Sequence, residues 1–188
     1  MALILVLILL ILVQPTSSTI FTLDQILNDP TDASISISIT NDLRLMVTGS
    51  LDGNVYIYER DNSTFNFGLS QTLSLGNIIT SAHITNDGQL LALGFDTNLV
   101  EIYSYFPSSA NFSLNQTIPL SSTFVYGIMI TDDHLFLAIS CYYCKICFIY
   151  TQSGSVFVLN QSITYSQYIY KLKLTQDHNY LVIACGNS

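Results

Sequence analysis

Apolar and polar residues alternate along most of this chain with a period of two. Ile35, Ile37 and Ile39 alternate with serines, and Ile128 and Ile130 repeat the pattern further on. Such alternation places one set of side chains on one face of a strand and the other set on the opposite face. No stretch after the N-terminus carries the three-to-four spacing of a long amphipathic helix. Short strands separated by turns are therefore expected throughout. Asp52-Gly53 and Asn86-Asp87-Gly88 mark tight hairpins between them.

The alternating segments recur. Four blocks align: Ser34–Glu59, Ile79–Ser104, Val125–Thr151 and Ile169–Ser188. Asp42, Asp87, Asp133 and Asp177 anchor them at spacings of 45, 46 and 44. A second anchor precedes a block each time: Gln71-Thr-Leu, Gln116-Thr-Ile and Gln161-Ser-Ile, spaced by 45. Asp24-Gln25-Ile26-Leu27 reads as the same anchor in the first repeat. Each unit is expected to hold four short strands. The first carries the Gln anchor, the second precedes the Asp turn, the third follows it, and the fourth ends in Tyr56-Ile57-Tyr58, Glu101-Ile102-Tyr103 or Phe148-Ile149-Tyr150. Four strands in about 45 residues is the unit of a propeller blade.

The segment TGSLDGNVYIYE (48–59) resembles the end of a WD repeat, with Tyr58-Glu59 where Trp-Asp is usual. ITSAHITNDGQLLALG (79–94) is similar to that family's strand, turn and following strand. The likeness spans nearly all of residues 21–188. The chain has no Trp and no Gly-His pair opens its repeats, so of the family's Asp-His-Ser-Trp arrangement only Ser50 and Asp52 are matched. The resemblance implies an all-β fold: a partial β-propeller of about three and a half four-stranded antiparallel blades over residues 19–188. It also implies a non-catalytic platform for binding other proteins. Propellers close with roughly four to eight blades. The expectation is a fragment of a longer propeller, or a ring completed by self-association or by a protein partner. The alternative is part of a propeller enzyme, lactonase-like or another hydrolase, with catalytic residues beyond Ser188.

At the N-terminus, Ala2–Val13 is uninterruptedly apolar. It is shorter than the roughly 20 residues a bilayer-spanning helix needs. It fits the apolar stretch of a secretory signal peptide over residues 1–18, with Thr16 and Ser18 as the small residues before cleavage. No membrane span is then expected after cleavage, and the destination is secreted or luminal. Glycosylation sequons at Asn62, Asn111, Asn115 and Asn160 accord with that route.

Charge narrows the partners. Thirteen Asp and Glu stand against five Lys and Arg, a net charge of −8. The basic residues form no run, which disfavours nucleic acid.

Few residues invite chemistry. Cys141, Cys144, Cys147 and Cys185 are the only cysteines. In an oxidising compartment they are disulfide candidates, with Cys141 bridging to Cys144 or Cys147 and Cys185 taking a neighbour. A zinc site would need all four around one ion, which strand spacing opposes. No metal and no cofactor are expected. The four anchor Asp residues are read as turn formers, since Asp bonds its own backbone there. His83 is read as a hydrogen-bonded core residue. No nucleophile elbow occurs, and no catalytic residue is assigned. Interface candidates are Asn77, Phe124 and Tyr168, which occupy matching loops before the second strand of successive units.

Overall fold

A computed structural model describes residues 25–120 and 124–186. The expected signal segment lies outside them. Fourteen strands form four antiparallel sheets, and among the described residues there is no helix.

The first sheet contains β1 (Ser34–Ile39), β2 (Leu45–Ser50), β3 (Asn54–Arg60) and β4 (Phe67–Ser74). The second contains β5 (Ile79–Ile84), β6 (Leu90–Phe95), β7 (Leu99–Phe106) and β8 (Asn111–Pro119). The third contains β9 (Val125–Ile130), β10 (Phe136–Cys141), β11 (Ile146–Ser153) and β12 (Val156–Thr164). The fourth has two strands, β13 (Tyr168–Leu174) and β14 (Leu181–Gly186). Within each sheet the strands lie side by side in chain order.

The blocks read from the sequence start within a residue of β1, β5, β9 and β13. The Gln-anchored strand differs from expectation. It does not open a unit: Gln71, Gln116 and Gln161 lie on β4, β8 and β12, the last strand of each complete sheet. The short turn after β3 folds β4 straight back on it, so pairing follows the hairpin. The Gln side chain then reaches across to the next sheet. Gln71 binds the N–H and C=O of Phe112, at 2.8 and 2.9 Å. Gln116 holds Phe157 in the same way, at 2.7 and 2.8 Å. Gln25 holds Phe67 at 2.8 and 2.6 Å, as the fourth copy of the anchor.

Each Asp turn is built alike. Thr40, Thr85, Thr131 and Thr175 donate their hydroxyls to Asp42, Asp87, Asp133 and Asp177. The same carboxylates accept the N–H two residues on, at 2.9 to 3.1 Å. The residue after each Asp has a positive φ: Leu43, Gly88, His134 and His178. The carboxylate supports a turn that Leu and His rarely adopt unaided.

Sheets pack face to face on layers of apolar side chains. Val47, Ile57, Ile84 and Leu91 lie between the first and second, and Ile102, Ile130 and Leu137 between the second and third. Ala138, Cys147 and Ile169 lie between the third and fourth. Gly49 and Gly94 permit the close approach, since a Cβ there would lie 2.4 Å from Ile79 and Val125 respectively.

One repeat position latches the seams. The N–H of Ile84 donates to Ser38 Oγ at 3.1 Å, that of Ile130 to His83 Nδ1 at 3.3 Å, and that of Leu174 to Met129 Sδ at 3.3 Å. Ser38, His83 and Met129 all stand four residues before their anchor Asp. Each supplies an acceptor to the first strand of the next sheet, whose edge N–H would otherwise lack one.

Candidate interaction surface

The first strand of every sheet carries a bulge at the same place. Ile35, Thr80, Tyr126 and Tyr170 are the extra residues, set between paired neighbours. A bulge redirects its side chain and sharpens the local twist. In the third and fourth sheets it puts Tyr126 and Tyr170 into a cluster of six aromatic rings.

The centre of that cluster is Tyr142, at the tip of the β10–β11 hairpin. Its ring stacks on Tyr168 with centroids 4.8 Å apart and 18° between planes. It meets Tyr126 at 4.8 Å and Tyr170 at 5.2 Å. Neighbouring Tyr143 meets Phe124 edge-on at 5.5 Å and Tyr168 at 6.3 Å. Phe124 has a φ of 65°, a conformation costly for an aromatic residue. The N–H of Tyr142 donates to the Phe124 carbonyl at 3.1 Å and helps hold it there.

The hairpin tip is covalently closed. Cys141 and Cys144 form a disulfide that brackets the two tyrosines. Lys145 completes the edge: its ammonium lies 4.6 Å from the centre of the Tyr168 ring and donates to the Ser166 carbonyl at 3.1 Å. The hydrogen bond with Tyr170 raises the Tyr142 phenol to about 12, so it stays neutral. Tyr143 is 57% exposed, and Tyr126 and Tyr170 are also exposed. These rings offer a surface with apolar faces and polar tips, which suits an interface.

Of the residues singled out in the sequence, Phe124 and Tyr168 join this cluster through Tyr142 and Tyr143. Asn77 does not; it is half-buried in the β4–β5 connection, beside Gly53. The hairpin tyrosines were not among the candidates read from the sequence. Their signal was an aromatic pair enclosed by cysteines in the turn next to Phe124 and Tyr168.

The cysteines separate onto two faces. Cys141 and Cys144 belong to the layer between the second and third sheets, and Cys147 to the layer between the third and fourth. Cys147 and Cys185 are free thiols, so the disulfide candidates resolve to one bridge. Burial, with Cys185 adding to it, pushes the Cys147 thiol up to about 12. A thiol so protonated is neither a nucleophile nor a ready metal ligand. Among the described residues, no three His, Cys, Asp or Glu side chains group as metal ligands would.

Several other titrating groups are bonded within the fold. His134 Nε2 lies 3.0 Å from Asp87 and His178 Nε2 lies 2.9 Å from Asp133, each across a seam. Burial works to raise the Asp87 and Asp133 carboxyls, but bonds from the turn threonines, from backbone N–H groups and from these imidazoles lower both. Burial drives His83 down to about 4, against a weaker opposing effect of Asp132, while Lys173 adds to the lowering. His83 is therefore a neutral acceptor. In the first sheet Asp52 accepts from Tyr56 at 2.8 Å and from the Thr31 N–H at 2.9 Å, tying the segment before β1 to the β2–β3 turn.

All four sequon asparagines are exposed. Asn62 lies in the β3–β4 turn, Asn111 opens β8, and Asn115 and Asn160 occupy bulges on the outer strands β8 and β12.

No protein-family model matches this chain, and no curated protein matches it.

Proposed function

We propose that this chain is a non-catalytic interaction platform built from WD-like propeller blades, secreted or luminal. On this reading each four-stranded sheet is a blade and β1, β5, β9 and β13 are the inner strands. Equivalent seams, latched at one repeat position, support that arrangement. The apolar leader and the exposed sequons support passage through the secretory route. The ring is completed by further blades, by self-association or by a protein partner.

The observation that carries the binding role is the aromatic cluster. Six rings from two sheets converge at one end, on a hairpin fixed by a disulfide. Packing alone would bury such rings, yet three of them remain exposed. The partner surface comprises Phe124, Tyr126, Tyr142, Tyr143, Tyr168 and Tyr170.

A photo-reactive benzophenone amino acid at position 143 tests this. Protein carrying it, applied to its source cells, should give a discrete cross-linked adduct that Phe124→Ser with Tyr168→Ser removes. The same probe at Leu69, exposed on β4, should give none. Equal adducts from both positions, or none from either, would refute the reading.

A further inference from the structure

Against the aromatic cluster, sharing Phe124 and Tyr126 with it, runs a groove of about 630 Å³, walled by the first strands of all four sheets. Its lining is largely aliphatic: Ile35, Ile37, Ile78, Ala82, Ile128 and Leu172. Ile37 is 57% exposed and Ile35 nearly as much, a large open apolar area for one place. The polar groups along it are largely occupied by the protein itself. Ser36 Oγ accepts the Ala82 N–H at 2.7 Å, and the Thr80 hydroxyl donates to the Val125 carbonyl at 2.5 Å.

Lys171 is the one charged residue in the lining; it is exposed, and no acidic partner or side-chain hydrogen bond engages it among the described residues. Elsewhere Arg44 pairs with Asp42 and Glu59, Arg60 lies over Phe65 and Lys145 over Tyr168, while Lys173, exposed and also without an acidic partner, is not in the groove lining. No carboxylate lines the groove.

We infer that this groove binds a long-chain fatty acid, its hydrocarbon on the isoleucines and its carboxylate on Lys171. The volume lies within the ~300–1,000 Å³ usual for small-ligand sites. A single ammonium matches a monoanion. A phosphate dianion would want a second cation or a bidentate arginine, and the chain's charge of −8 further opposes it. The groove shares Phe124 and Tyr126 with the proposed partner surface, but its argument rests on the aliphatic lining and Lys171 and not on a protein partner. Tyr168 is not in the groove lining and packs on Tyr142, Tyr143 and Lys145 rather than on Phe124 or Tyr126, so Tyr168→Ser should leave fatty-acid binding unchanged while weakening partner binding.

The test is displacement of a fluorescent dansyl-undecanoate from the secreted protein by dodecanoate, dodecanol and dodecyl phosphate, each below its micelle concentration. Dodecanoate should compete best. Lys171→Gln should weaken dodecanoate about tenfold, the worth of a charge-assisted bond, and leave dodecanol unchanged. Ile37→Glu, at an exposed position, should weaken all three, with circular dichroism reporting an intact fold. Failure of dodecanoate to compete, equal affinity for dodecanol, tighter binding of dodecyl phosphate, or indifference to Lys171→Gln would each overturn the inference.

Discussion

The first and fourth sheets share a repeat pattern yet have opposite surroundings. In the first, all six residues of β2 are buried. Its inner face packs on the second sheet. Its far face, with Met46, Tyr56, Tyr58 and Phe67, is covered by the segment that carries Leu27. In the fourth, β14 alternates between half-buried and exposed. Val47 and Val182 hold the same repeat position, five residues past the anchor Asp, but one is 0% exposed and the other 61%. Alternation alone thus specifies two faces and not which of them finds a neighbour. The burial of a strand in this fold is a property of its seams.

The largest consequence falls on that pair. Val47→Asn should destabilise by about 4 kcal/mol, from lost apolar burial and an amide without partners. Val182→Asn should stay within about 0.5 kcal/mol. Urea unfolding of both variants at low protein concentration measures the contrast, and similar losses would mean that the far face of β14 is covered in solution.

The seams differ among themselves in a way pH should expose. Ser38 latches the first seam and cannot titrate, whereas His83 latches the second. An ordinary imidazole protonates near 6.5, and His83 in the fold only near 4. As pH falls through that window the unfolded chain takes up a proton that the folded one refuses. Stability from this site is therefore whole above about pH 6.5 and lost progressively down to about 4, by roughly 3 kcal/mol. The lowered Asp carboxyls contribute their loss only below that window. His83→Ser, which copies the first seam, should flatten the slope between pH 6.5 and 4 in chemical unfolding; an unchanged slope would place its origin elsewhere.

A smaller effect separates the covered face of the first sheet from the open face of the fourth. Tyr56→Phe removes the bond to Asp52 and should cost about 1 kcal/mol. It should also speed proteolytic cutting in the Thr31–Ala33 region without changing cutting near β14. Uniform cutting rates would show that the Asp52 network does not hold the segment.

Much of this was legible in the sequence, for identifiable reasons. The anchor Asp residues mark turns whose chemistry is local, so the strands beside them could be placed. Asp52-Gly53 and Asp87-Gly88 likewise fall at hairpins. The role of the Gln residues was only half legible. Their period was plain, but a side chain that clamps the backbone of the neighbouring sheet leaves no local sign of which strand it closes. Of the interface candidates, Phe124 and Tyr168 meet through Tyr142 and Tyr143, while Asn77 stands apart. The bulges at Tyr126 and Tyr170 were hidden because Ile, Thr and Tyr all occupy that position. The cysteines were ambiguous because pairing depends on face. Cys147 is one hairpin from Cys141 in sequence but lies on the other side of the sheet.

The shared bulge on the first strands has a consequence for how such a chain can diversify. Ile35, Thr80, Tyr126 and Tyr170 are skipped by the strand pairing. Each unit thereby contributes one letter that neither hydrogen-bond register nor the packed layers dictate. Strung along four sheets, these letters form a short writable code on an otherwise constrained scaffold. New specificities could be drafted there one residue at a time, most freely at Ile35, Tyr126 and Tyr170, since the Thr80 hydroxyl also bonds the Gly94 and Val125 carbonyls.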